Sequence, residues 1–198
     1  TGGSENEDTT EIEEEQQTDR RVHTRSITHD RGEGAQGGEV NEPADTPEEE
    51  VAPEEEGDSG STYVELVVLE IHRLTNIERK KLGLEPFEMD PILKNIAEVH
   101  SGYMAENNYF SHRTLEGCDL KCRLDEENYE ASMWGENIAW RSDSSLPSPE
   151  EMALTFVRGW INSSGHAHNM LSSEFVHTGV GVAERGDVVF ATVDFTRP

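Results

Sequence analysis

Glu136 is the residue in this chain most strongly marked for chemistry. It lies in Met133-Trp134-Gly135-Glu136-Asn137-Ile138-Ala139, an acid with apolar residues on both sides. A carboxylate in that setting is not there for solubility. Buried and unpaired it would be costly, so the fold must bring it partners. Two histidines in similarly marked settings are the expected partners. His112 closes Tyr109-Phe110-Ser111-His112, and His166 lies in Ser163-Ser164-Gly165-His166-Ala167-His168-Asn169. Glu136 is expected to form the floor of a cleft and the two histidines its walls.

Two imidazoles and one carboxylate can hold zinc or another divalent cation. They leave a position open for water, the arrangement that lowers the water's pKa towards 7. His112, Glu136 and His166 are therefore both the catalytic candidates and the candidate metal ligands, with Asn162, Ser163, His168 and Asn169 as cleft support. The alternative is that Glu136 bridges and orients the two histidines in a buried polar network. Against a metal centre, no His-Glu-x-x-His helix preorganises the ligands. Ser111 and Ser163 sit in no nucleophile elbow. No second acid with a motif around it supports paired-carboxylate chemistry. Cys118 and Cys122 lack the Cys-x-x-Cys spacing of redox dithiols. In an oxidising compartment they are expected to close a small disulfide loop.

The elements that must position these residues are legible as periodicity. Val64, Val67, Val68, Ile71, Leu74 and Ile77 recur at helical steps and predict a helix from Tyr63 to Leu82, with Gly83 as its C-cap. Asn76 and Arg79, one turn apart on that helix, are read either as surface polar residues or as groups bonding a neighbouring loop. Asp90-Pro91 reads as an N-cap and first helical residue. The helix that follows carries Leu93, Ile96, Ala97, His100 and Met104 on one stripe, and His100 reads as a satisfied core histidine. Residues 113–132 read as loop with one helical turn near Arg123–Glu127. Ser148-Pro149-Glu150-Glu151 opens an amphipathic helix through Met152, Phe156 and Trp160, and this helix delivers His166. Thr178–Ala183 and Val188–Phe195 predict a hairpin turning at Arg185-Gly186-Asp187.

Residues 1–61 show no hydrophobic period, and their isolated Ile and Val cannot offset the entropy of ordering. They are expected to be a disordered acidic linker or stalk, leaving residues 62–198 as the folded domain. The chain has 198 residues and a net charge of −26. An acidic surface repels phosphate, which argues against nucleic acid as a partner. Excess carboxylate with only four lysines, at 80, 81, 94 and 121, suits a protein working in high salt, a halophile. No apolar run reaches the roughly 18–20 residues of a transmembrane segment. The chain opens at Thr1, carries no signal peptide and is read as a mature form.

Five blocks taken together resemble the CAP superfamily: the cysteine-rich secretory, antigen 5 and pathogenesis-related 1 proteins, or SCP-like domains, in their short microbial branch. The blocks are Asn76 and Arg79 before Gly83-Leu84, Phe110-Ser111-His112, Gly135-Glu136-Asn137-Ile138-Ala139, Trp160-Ile161-Asn162-Ser163 with Gly165-His166 and Asn169, and Gly179-Val180-Gly181-Val182. The resemblance implies an α+β fold, an α-β-α sandwich around a central antiparallel sheet, and an extracellular or cell-surface setting. It also implies a cleft with two His and two Glu that binds zinc or another divalent cation in some members. His112, Glu136 and His166 match three of those positions. The fourth acid is replaced by Ser163 beside Asn162, and the long cysteine framework is missing. The expected function is therefore an extracellular binding module for a lipid, glycan, peptide or other cell-surface component. The alternative is a metal-dependent, peptidase-like hydrolase using the same cleft.

Overall fold

The computed structural model describes residues 22–30 and 62–198. In chain order the elements are β1 (Val22–Asp30), α1 (Tyr63–Lys81), β2 (Glu88–Met89), α2 (Pro91–Asn107), α3 (Leu120–Glu126), β3 (Met133–Ser142), α4 (Pro149–Ile161), α5 (Ser164–Leu171), β4 (His177–Arg185) and β5 (Val188–Arg197). The strands form one sheet in the order β1-β3-β5-β4-β2, antiparallel except for the short β2–β4 pair. Helices cover both faces, so the α-β-α sandwich is what the chain adopts.

Strand alternation sorts the side chains into two layers. Ala139, Val180, Val182, Val189, Ala191, Val193 and Phe195 face one way, onto Val67, Val68 and Ile71 of α1 and Met152, Phe156 and Trp160 of α4. Trp134, Ile138 and Phe190 face the other way, onto Leu93, Ile96 and Met104 of α2 and Leu120 and Leu124 of α3. The Gly-Val-Gly-Val stretch of β4 has a packing cause. A Cβ on Gly179 would meet the Leu93 backbone at 2.2 Å, and one on Gly181 the Ala97 backbone at 2.1 Å. Only glycine lets α2 lie this close to the sheet, which fixes the height of His100 above it.

The predicted caps are in place. Asp90 Oδ1 accepts from the Ile92 and Leu93 amides, and Ser148 and Glu151 complete a capping box. Gly83 follows α1 with φ +71°, and Gly186 turns the β4–β5 hairpin with φ +61°. Asn76 and Arg79 are clamps rather than surface groups. Asn76 pairs with both the Phe87 amide and its carbonyl, at 2.7 and 3.1 Å. Arg79, 2 % exposed, donates to the carbonyls of Glu85, Met170 and Ser172, tying α1 to the end of α5.

One boundary needs correcting. Within the expected spacer of residues 1–61, Val22–Asp30 is a strand paired with β3 from Arg141 to Met133. Its β-branched Val22, Thr24, Ile27 and Thr28 favour an extended chain, but a lone strand has no partner. It is ordered by nine residues of ladder along an existing sheet edge, a contribution that no local pattern encodes. The rest of the stretch read as disordered lies outside the described residues.

Candidate functional site

Glu136 sits in the middle of β3 with no exposure. Its neighbours come from three other elements. His112 Nδ1, in the loop after α2, donates to Oε1 at 2.6 Å. The Nη2 of Arg123 in α3 donates to Oε2. His100 Nε2 on α2 stands 3.9 Å from the same oxygen and donates to the Ser111 carbonyl at 2.9 Å. Arg123 Nη1 reaches the His112 carbonyl at 3.3 Å, so one guanidinium holds both the acid and the loop that brings its histidine. Burial alone would raise the Glu136 pKa. Arg123, the His112 hydrogen bond and the neighbouring imidazoles outweigh it and hold the group at about 2. His100 is pushed the other way. Burial lowers it to about 4, against the pull of Glu136, so it is a neutral ring at physiological pH.

A second acid does lie at the cluster, though not where resemblance would place it. Asp194 of β5 is directly opposite Glu136 in the ladder and equally buried. Neither of its oxygens accepts a hydrogen bond from a neighbouring donor. Burial, then the Glu136 charge, push its carboxyl well above the ordinary range, and a hydrogen bond to Glu136 adds to this. Arg123 favours the charged form of Glu136, and that charge in turn disfavours ionisation of Asp194.

The anchor of His166 is Ser163 rather than Glu136. Consecutive residues of a strand point to opposite faces. Glu136 faces α2 and α3, while Asn137 faces α5, where its Nδ2 donates to the His166 carbonyl at 3.1 Å. The α5 backbone at His166 therefore lies on the face of β3 opposite the Glu136 side chain. The His166 ring is anchored through Nδ1 to Ser163 Oγ at 2.7 Å. Burial lowers its pKa, a backbone contact with Arg25 favours the charged form, and repulsion from His112 opposes it. Of the three ligands read from the sequence, Glu136 has both oxygens engaged, by His112 and Arg123. Among the described residues the only three-donor group within 4.8 Å is Cys118, Cys122 and Glu126. Its two sulfurs form a disulfide, so they are not thiolate ligands. What remains of metal-binding character is the Nε2 atoms of His112 and His166, both buried and neither hydrogen-bonded.

The support residues divide. Ser163 orients His166, and Asn169 is buried, its Nδ2 donating to Ser26 Oγ, the Ile27 carbonyl and Asn137 Oδ1 at 2.8, 2.8 and 2.9 Å. Asn162 closes α4 as its C-cap, and it and His168 are exposed. His168 is two residues from His166, so the helical twist turns it to the far side of α5. Sequence reasoning missed Arg123, Asp194 and the role of His100. Asp194 carried a readable signal, an acid inside the apolar run Val188–Phe195, of the same kind that singled out Glu136.

Residues 72–195 match the cysteine-rich secretory protein family, CAP, and with this fold and site the chain belongs to that family. It is 41 % identical over 109 residues to the "Uncharacterized membrane protein YlbC" of Bacillus subtilis (strain 168), covering 55 % of this chain and 29 % of that protein. It is 35 % identical over 130 residues to the "Uncharacterized protein YkwD" of the same organism, covering 66 % of this chain and 46 % of that protein. The chain thus spans less than half the length of these curated relatives. Among solved structures, an extracellular SCP-domain protein of Bacillus anthracis str. Ames superposes with a TM-score of 0.55 at 33 % identity, over 67 % of this chain and 40 % of that one. No helix among the described residues is long and apolar enough to cross a membrane.

Proposed function

We propose that this chain is a secreted binding module that works outside the cell or at its surface, rather than a hydrolase. The observation that carries this reading is the state of Glu136. Its carboxylate is fully buried, ion-paired to Arg123 and hydrogen-bonded to His112. A group in that state is a poor general base, because its proton affinity has been lowered and no substrate or water reaches it. Asp194, equally buried, does not substitute for it. The knot instead joins α2, α3, the loop between them and β3, and so keeps one edge of the domain rigid. Rigid presentation of a surface is what a binding module requires.

The residues do not fit a three-ligand metal centre, and no chemical step is derived through one. The test is a zinc titration by calorimetry in high salt, run on the full chain and on a His112→Ala, His166→Ala double variant, beside a peptide-hydrolysis assay with and without zinc. The expected result is no stoichiometric zinc site that depends on the two histidines and no turnover. Turnover lost in the double variant would overturn the reading in favour of the metal-dependent hydrolase.

A further inference from the structure

The domain is complete without β1. The family match begins at residue 72, and residues 62–198 supply four adjacent strands and all the helices among the described residues. Of the β1 side chains that the structure describes, residues 25–27, Ile27 packs at the margin of one apolar cluster. Yet β1 lies against the candidate site itself. Ile27 is paired with Glu136 and Ser26 with Asn137. Ile27 packs on the α2/α3 face, and the Arg25 guanidinium lies 5.4 Å from the centre of the Phe110 ring, two residues from His112. On the other face Asn169 bonds Ser26 and Ile27, and the Arg25 backbone touches His166. β1 therefore runs beside Glu136 and touches His166.

The groove reads backbone more than side chain. The ladder to β3 is main-chain pairing, and the Asn169 bond to the Ile27 carbonyl is indifferent to sequence. Gly135 keeps the floor low: a Cβ there would meet the Ile27 carbonyl oxygen and Asn169 Oδ1 at 3.0 Å. Such a site takes an extended chain by strand addition, with a few side-chain contacts for selectivity. Here Asn169 supplies one of those, to a small hydroxyl at the Ser26 position.

We propose that the β3 edge beside Glu136 and His166 is a strand-accepting groove for an extended polypeptide segment, and that Val22–Asp30 occupies it in cis as an exchangeable strap. The partner is a peptide or protein segment able to pair along β3. This rests on the binding-module reading and is independent of any metal. Because strap and groove belong to one chain, tethering favours the closed form, and an outside segment binds only by displacing it.

The probe is a fluorescein-labelled peptide of residues 20–32. It is titrated by fluorescence anisotropy into the full chain and into the full chain carrying Ser26→Pro and Ile27→Pro, adjacent positions of which one amide faces β3, so that the pairing of the strap is broken. The expected result is a folded variant that binds the peptide at least roughly tenfold more tightly than the unsubstituted chain, whose strap competes. The same peptide with the two prolines should not compete. A variant that no longer folds would overturn the proposal, because the strand would then be integral to the domain. A folded variant that binds no better than the parent would overturn it too. Hydrogen exchange on the unsubstituted chain is an independent readout. Amides of 22–30 should exchange roughly tenfold or more faster than those of 189–195, and equal rates set by global unfolding would sink the idea. Peptide turnover in the hydrolysis assay would break the binding-module reading instead, so the two failures are separable.

Discussion

The two sides of β3 solve the same problem with different materials. On the α2/α3 side, Glu136 is a full charge matched by Arg123 and hydrogen-bonded to His112. On the α5 side, Asn137 and Asn169 form a neutral amide network that also reaches β1. The charged side is stiff, since removing any partner strands a buried ion. The amide side is satisfied by hydrogen bonds that water or another backbone can replace. The difference suggests a division of labour, with one face holding the domain together and the other meeting the segment that lies on its edge.

Three substitutions test that contrast, beginning with the largest expected effect. Glu136→Gln keeps the shape but leaves Arg123 buried without its counter-charge, and should destabilise the domain by about 3–5 kcal/mol in urea unfolding. An unchanged midpoint would mean the knot is solvated and the charged face is not the stiff one. Asn169→Ala removes hydrogen bonds to β1 and β3 from a buried site and should cost about 1–3 kcal/mol. It should also speed amide exchange in 22–30 while leaving the β4–β5 hairpin as slow as before. Exchange that rises equally in both would erase the division between the faces.

The smallest effect lies in the pH profile. His100, lowered to about 4, and Glu136, lowered to about 2, both make the unfolded chain the better proton binder. Their contributions are complete above the unfolded values. The His100 part is lost as pH falls from the ordinary histidine range towards 4, and the Glu136 part as it falls further towards 2. Asp194 has the opposite sign. Its raised pKa stabilises the fold at low pH, and that contribution is lost as pH rises through its native value. Asp194→Asn removes the opposing term and keeps a donor towards Glu136. Melting curves from acid to neutral pH should show the variant gaining on the parent as pH rises, by about 1 kcal/mol. A pH-independent difference would place no titrating proton on Asp194.

Much of the architecture was legible because it is locally encoded. The stripes of α1, α2 and α4, the caps at Asp90 and Ser148, and the turn at Gly186 are properties of neighbouring residues, and each appears where periodicity put it. The site was legible only in part. Glu136 and His112 were paired correctly, because an acid in an apolar strand must find a donor. His166 was expected beside Glu136, and its hydrogen bond to Ser163, made through the α5 turn, was not legible in the spacing. Arg123 was passed over because a helix of seven residues shows little period.

The sequence by itself determined the family, the helices and hairpin, and the fact that Glu136 would need a partner, since these follow from local spacing and the cost of a buried charge. Only the tertiary structure decided which partners it found. His100, His112, Arg123 and Asp194 are scattered over four segments and meet because β5 lies beside β3 with α2 and α3 stacked on that face. It also decided that nine residues of an acidic, unpatterned stretch would become a strand. The β-branched Val22, Thr24, Ile27 and Thr28 suit an extended chain, but the partner edge that orders them is supplied by β3, more than a hundred residues away in the sequence.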